Sequence, residues 1–199
     1  MIHVEAQKEP ASFDAEVRQK GLAYLKKQGI PLNQPIPPNT KIEPYWRACL
    51  SDLYQSHHGI CAYLAVFFER VTGGGSVDHF IAKSKRAALA YEWSNYRLAC
   101  STMNSRKRDY EDVLDPFEIE DGWFHLELIS GTIYPNPHLS KELQTRLAAT
   151  IKRLGLDDPG NREMRARHYQ EYLQEYYNEA FLKKRSPFVW YESQRQNLL

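Results

Sequence analysis

Apolar residues recur every three to four positions in four parts of the chain, and this spacing predicts four helices. The four parts are residues 11–30, 43–59, 135–156 and 161–184. Gly29, Gly59 and Gly155 each follow an apolar stripe, where glycine commonly ends a helix. The Pro-rich stretch "PLNQPIPPN" after the first helix predicts an extended connector, because proline cannot continue a helix.

The last of these patterns predicts one long helix over residues 161–184, capped by Asn161. We expect its apolar and aromatic residues to face inward, namely Met164, Tyr169, Tyr172, Leu173, Tyr176 and Phe181. The tyrosines could instead form a row on which bases stack. At helical spacing among Leu and Phe, the core interpretation is favoured.

Alternation of apolar and polar residues in "WFHLELISGTIY" (residues 123–134) predicts a β-hairpin, with its turn at Ser130-Gly131. The stretch "ICAYLAVFFERV" (residues 60–71) has no clear period and fits a strand or a buried helix equally well. The fold class indicated by these elements is α+β.

Composition is that of an ordinary globular protein, with 42% hydrophobic and 26% charged residues. The longest apolar run, "CAYLAVFF", is shorter than a membrane span requires, and nothing near Met1 has the features of a secretory signal. Three widely spaced cysteines do not form a disulfide framework. We therefore expect a cytoplasmic protein without a membrane partner.

Charge is distributed unevenly, although the net charge is only +1. Residues 76–110 carry seven Lys or Arg against three acids, whereas residues 111–121 carry six acids and no base. A polyanion such as DNA or RNA would favour the first segment. The alternative is that both segments are ordinary solvated surface.

The basic segment also contains residues suited to phosphodiester hydrolysis. Asp78 is a hard oxygen ligand for Mg²⁺ or Mn²⁺, His79 titrates near neutral pH and suits a general base, and Asn104 offers a neutral carbonyl oxygen. Alternation along a strand would place Asp78 and His79 on opposite faces. A shared site therefore requires that the strand bulges or ends there.

Six basic residues are candidate contacts to nucleic-acid phosphates, and each could equally be a solvated surface charge. They are Lys83, Lys85, Arg86, Arg97, Arg106 and Lys107.

Three motifs in order, "VDHF" (77–80), "WSNYRLAC" (93–100) and "MNSRK" (103–107), resemble the HNH endonuclease family. That resemblance implies a ββα-metal core. It implies that His79 is the general base and that Asp78 binds the divalent metal.

Two asparagines complete the implied catalytic set. Asn104 matches the second metal ligand of the family. Asn95, which lies sixteen residues after His79, matches the residue that braces the loop behind the histidine.

Other segments of the chain, including "SFDAEVRQKGLAYL" and "SPFVWYES", resemble the PtuB-like HNH nucleases of Septu-type anti-phage systems, some of which sit beside retrons. The resemblance implies a partner, an ABC-type ATPase that gates the nuclease. Many members carry two C-x-x-C zinc knuckles, but here only Cys61 and Cys100 remain. Structural zinc takes four ligands, so we expect none here, unless His57 or His58 completes a site.

We expect one compact unit with four regions, which are helical residues 1–56, an HNH core at 57–112, an acidic segment and hairpin at 113–137, and helical residues 138–199. The predicted function is metal-dependent cleavage of nucleic acid, with DNA favoured over RNA. A catalytically inactive module that keeps the ββα shape for binding is the alternative.

Overall fold

The computed structural model describes residues 1–199 and shows an α+β protein with eight α-helices and two two-stranded antiparallel sheets. The chain divides into two compact units. The first, here called the cleft unit, comprises residues 6–59 and 68–111; the second, the hairpin unit, comprises residues 1–5, 60–67 and 112–199. The expected core at residues 57–112 coincides with neither unit.

The cleft unit begins with the helices predicted from the first two apolar stripes. A π-helical turn at Asp14–Arg18 leads directly into α1 (Gln19–Lys27). A 3₁₀ turn at Tyr45–Cys49 leads into α2 (Leu50–Ser56). Both predicted helices are confirmed, and their apolar stripes supply the core residues Val17, Leu25 and Leu53.

The centre of the cleft unit is a pair of antiparallel strands followed by a helix. Strand β1 (Gly75–His79) pairs with β2 (Tyr96–Cys100), so that Asp78 lies opposite Arg97 and His79 opposite Tyr96. Helix α4 (Ser101–Lys107) begins where β2 ends and contacts both strands. The apolar run of β2 is buried along its whole length.

The stretch at residues 60–71 is neither of the two alternatives expected from its sequence. It forms a tight loop closed by one isolated bridge between Ile60 and Phe67, followed by the short helix α3 (Arg70–Gly73). Cys61 and Tyr63 are buried in this loop. Apolar side chains can thus fill a core from irregular backbone, and this is why the run shows no period.

In the hairpin unit, β3 (Phe124–Glu127) pairs with β4 (Thr132–Pro135), as the alternation predicts. Gly131 has a φ of +70° in the turn, where glycine is the residue with no steric cost. The predicted hairpin is confirmed.

Helix α5 (Lys141–Leu154) confirms the third apolar stripe, and its N-terminus is capped by the Ser140 hydroxyl, which accepts from the Leu143 amide. Leu147 and Leu154 are buried. The C-terminus ends at Gly155, as expected.

The single long helix predicted at residues 161–184 is wrong. The chain instead forms α6 (Pro159–Leu173) and α7 (Glu179–Arg185), and Asn178 caps the second through a bond from the Phe181 amide. Because the helix breaks before it, Tyr176 is 74% exposed rather than inward-facing. Phe181 and Leu173 are also largely exposed, whereas Tyr169 is buried as predicted.

Helix α8 (Pro187–Arg195) closes the hairpin unit and contributes the buried Phe188 and Val189. No helix in the structure combines the length and apolar character needed to span a membrane.

Candidate functional site

Asp78, His79 and Asn104 line one cleft of about 390 Å³ in the cleft unit. The first two come from the end of β1 and the third from the middle of α4. His79 is the last residue of β1, and both Asp78 and His79 line the cleft. The strand end that the sequence required for a shared site is present.

The His79 ring is held by one hydrogen bond and two aromatic contacts. Its Nε2 lies 2.9 Å from the carbonyl oxygen of Ala90. A carbonyl only accepts, so Nε2 carries the proton and donates, and Nδ1 of the neutral ring is left as an acceptor. The ring packs edge-on against Trp46 and Tyr96, at centroid distances of 4.8 and 5.0 Å.

Burial lowers the pKa of His79 to about 3, and the positive charges of Lys83 and Lys107 act in the same direction. The bond to the Ala90 carbonyl opposes the shift by favouring the protonated ring. The ring is therefore neutral at pH 7, which is the form that can accept a proton.

Asn95 fixes the connection that follows His79. Its Oδ1 accepts from the Ile81 amide at 2.8 Å, and its Nδ2 donates to the carbonyls of Ile81 at 2.9 Å and Leu89 at 3.0 Å. All three bonds bridge parts of residues 80–95, and Asn95 itself is buried. Asn95 therefore holds the chain between β1 and β2 in place.

Lys107 lies inside the cleft unit and not on its surface. The side chain is 0% exposed, and its ammonium donates to the backbone carbonyls of Phe80 and, at 3.4 Å, His79. The geometry does not favour the predicted phosphate contact for Lys107, since the charge is used to hold the chain beside the cleft.

Arg97 is buried in the same way. Its Nη1 donates to the carbonyls of Ser94 at 2.8 Å and Tyr96 at 3.0 Å, and its guanidinium lies 5.2 Å from the Phe80 ring centroid. Here too the structure does not favour a phosphate contact.

The other four predicted phosphate contacts are accessible to different degrees. Lys83 lines the cleft, with its ammonium 5.4 Å from the centroid of the Trp46 ring. Lys85 and Arg86 are exposed on the connection between β1 and β2, and Arg106 is half-buried on α4. Of the six predicted cations, Lys83 is the one that lines the cleft.

Among the residues that line the cleft, Trp46 and Asp109 were not predicted from the sequence. Trp46 comes from a 3₁₀ turn far away in the sequence, and its helical spacing indicated only a core residue. Asp109 follows the end of α4, where Arg108 adopts a positive φ of 48°. Only that change of chain direction brings Asp109 to the cleft, and no sequence period predicts it.

No group of three or more His, Cys, Asp or Glu side chains in the structure could hold a metal ion. Cys61 and Cys100 are both buried. Met103, three residues after Cys100, is buried, and Leu64, three residues after Cys61, is partly exposed. The predicted ligands Asp78 and Asn104 are two oxygen donors that line this cleft.

Comparison of the sequence with models of known protein families gives no match, and comparison with curated proteins gives no significant match.

Proposed function

We propose that this chain is a metal-dependent endonuclease of the HNH type, which hydrolyses phosphodiester bonds of nucleic acid, with DNA favoured. One observation carries the proposal: Asp78, His79 and Asn104 line one cleft on a strand–strand–helix unit. The order of elements and residues agrees with what the HNH resemblance implies.

In the proposed mechanism, His79 accepts a proton from the attacking water at Nδ1, because Nε2 is occupied by the Ala90 carbonyl. A pKa of about 3 would make the ring a weak base. A bound phosphate places negative charge beside the ring, which favours its protonated form, whereas the divalent ion of the proposal acts in the opposite direction. Asn95 maintains this arrangement by fixing the connection after His79.

The residues present fit a magnesium or manganese ion. Asp78 offers a carboxylate and Asn104 an amide oxygen, which are the hard donors these ions prefer. Mg²⁺ commonly uses one or two carboxylates and keeps several waters, so two protein donors are sufficient. The ion would stabilise negative charge that develops on the phosphate and on the leaving oxygen.

Lys83 adds a positive charge at the edge of the same cleft. A cation there attracts the phosphodiester and lowers the cost of placing it beside Asp78, whose carboxylate repels it. In the proposal, Asp78 therefore holds the metal ion and Lys83 attracts the phosphodiester.

The proposed setting is an anti-phage defence complex in the cytoplasm, in which an ABC-type ATPase gates the nuclease. Only the Septu-type resemblance supports this part of the proposal. Affinity purification of the chain from its host, with identification of any ATPase that co-purifies in stable stoichiometry, would test it.

The test of the nuclease is cleavage of supercoiled plasmid, and of bulk tRNA in parallel, by purified protein with Mg²⁺, Mn²⁺ or EDTA. We expect cleavage that requires metal and is lost in His79→Ala. The substrate that is cut identifies the nucleic acid. A His79→Ala variant that cuts at the wild-type rate would refute the mechanism.

A second candidate is an inactive binding module with the same fold. The observation in its favour is the lack of a metal-binding group with three acidic, His or Cys side chains. Calorimetric titration with Mn²⁺ separates the two, with Asp78→Asn as control. Heat of binding that is present in the wild type and absent in Asp78→Asn favours the enzyme, whereas no binding in either favours the module.

A further inference from the structure

A second cleft adjoins the candidate catalytic cleft and has no role in the mechanism above. The segment from Ile36 to Arg47 lines it, and its volume is about 610 Å³. Trp46, Lys83 and Ser84 line both clefts, so the two spaces meet at these three side chains. This volume lies within the range typical of sites for small ligands and cofactors.

The walls of the second cleft combine apolar surface with positive charge. The apolar part comes from two isoleucines and three prolines, Ile36, Pro37, Pro38, Ile42 and Pro44. The charged lining residues are Lys41, Arg47 and Lys83, against the single acid Glu43. A ligand with a flat apolar part and a negative group would satisfy both features.

Two tyrosine hydroxyls hold this segment in place. Tyr24 donates to the carbonyl of Lys41 at 2.9 Å, and Tyr91 donates to the carbonyl of Glu43 at 2.8 Å. The backbone on which the cations stand is therefore anchored to α1 and to the connection after β1. A site that is already formed loses less conformational entropy when a ligand binds.

Trp46 joins the second cleft to the candidate catalytic residues. Its ring contacts His79 on one side and packs against Tyr91, with centroids 5.9 Å apart. A half-buried tryptophan that is fixed by neighbours offers a surface on which a base can stack.

We propose that the second cleft binds the nucleotide next to the scissile phosphodiester. Lys41 and Arg47 contact the flanking phosphate, and the base packs against Trp46 and the proline-lined wall. This inference rests on the proposed nuclease function for the position of the scissile bond.

The experiment measures binding separately from cleavage, in a His79→Ala background. The probes are fluorescein-labelled single-stranded DNA and RNA oligonucleotides, and the readout is fluorescence anisotropy at several salt concentrations. In Lys41→Ala/Arg47→Ala we expect an affinity about tenfold lower and a log–log salt slope reduced by about 1 to 2, since two phosphate contacts are lost.

The matched control is Lys26→Ala/Lys27→Ala, which removes two exposed lysines from α1 in the same unit. Net charge changes equally in both pairs, so a general electrostatic effect would reduce affinity equally. Equal loss in both pairs, or no loss in either, would overturn the subsite. Arg47→Glu provides a second variant if the double substitution changes the circular dichroism spectrum.

Base stacking has its own readout. An oligonucleotide with 2-aminopurine at successive positions reports stacking as quenched fluorescence at one position. We expect this quenching in the His79→Ala protein and its loss in His79→Ala/Trp46→Leu. Quenching that persists without Trp46 would remove Trp46 from the subsite.

The two proposals fail in different ways. If the protein with an intact His79 cuts no substrate but Lys41 and Arg47 still govern binding, the nuclease is overturned and the nucleotide subsite remains. If the protein cuts and its affinity does not depend on these two residues, the nuclease stands and the subsite is overturned. An absence of both cleavage and binding overturns both.

Discussion

The two strand pairs of this protein are connected and supported in different ways. Residues 80–95 connect β1 to β2, whereas only residues 128–131 connect β3 to β4. Side-chain hydrogen bonds brace both connections. The buried Asn95 bonds to Ile81 and Leu89, while the exposed Glu127 accepts from the amides of Ile129 and Ser130.

The difference lies in how many buried polar groups each connection uses. Around residues 80–95, His79, Asn95 and Lys107 are buried and all bond to backbone carbonyls. The β3–β4 turn receives one bond of this kind, from the buried Arg165 to the Gly131 carbonyl at 2.7 Å. Burying this many polar groups carries a large desolvation cost, which their hydrogen bonds offset. The result is a connection held in one position beside the cleft.

The largest expected effect is on cleavage, through Asp78. In Asp78→Asn the shape is kept but the anionic ligand is lost, so we expect the rate to fall about 100-fold or more. The measurement is plasmid nicking at fixed metal concentration. Asp115→Asn, at a buried carboxylate of the hairpin unit, is the control and should leave the rate unchanged. Equal rates in the two variants would contradict a metal-binding role.

Asn95→Ala should produce the largest loss of stability. Three partly buried backbone groups lose their partner, and we expect the free energy of unfolding to fall by about 3 kcal/mol, with loss of cleavage as the connection moves. Urea unfolding followed by circular dichroism measures this. Asn136→Ala, which removes a half-buried asparagine next to β4, should cost only about 1 kcal/mol. Similar losses would mean that the β1–β2 connection is not specially supported.

The hairpin unit also contains a buried histidine, His168. Its Nδ1 has no hydrogen-bond partner in the structure. Burial lowers the pKa of His168 to about 4, and Arg185 and Arg167 act in the same direction. The unfolded histidine has a pKa of about 6.5, so below this pH the unfolded state binds the proton first and stability falls.

In His168→Leu, the free energy of unfolding should therefore depend less on pH. Between pH 7 and pH 5 the wild-type chain should lose about 2 kcal/mol through this one group, and the variant should lose that much less. Urea unfolding at the two pH values gives the difference. An unchanged difference would show that His168 does not remain neutral in the folded protein.

The smallest effect is expected at the short turn. Glu127→Ala removes two exposed hydrogen bonds to amides that water can replace, so we expect a loss of about 1 kcal/mol or less. Cleavage should not change. A loss as large as that in Asn95→Ala would contradict the contrast between the two connections.

Much of the local structure was determined by the sequence itself. The period of the apolar residues predicts α1, α2 and α5, and the alternation from Trp123 predicts the hairpin, because each element buries one face. The resemblance to the HNH family implied a site shared by Asp78, His79 and Asn104. These elements are predictable because the apolar period of a helix or strand repeats over neighbouring residues.

Other features were decided only by tertiary structure. Residues 60–71 fill a core as a loop, and the break between α6 and α7 exposes Tyr176, although both stretches are apolar in sequence. Packing against distant residues overrides local preference in such segments.

The same limit applies to the site. The sequence showed Lys107 as one more surface cation, and only the fold buries it against the carbonyls of His79 and Phe80. Trp46 and Asp109 reach the cleft through a distant turn and a reversal at Arg108. A sequence determines which side chains are available. Whether a side chain is buried, and whether a cation bonds to a phosphate or to a backbone carbonyl, depends on contacts between residues far apart in the chain.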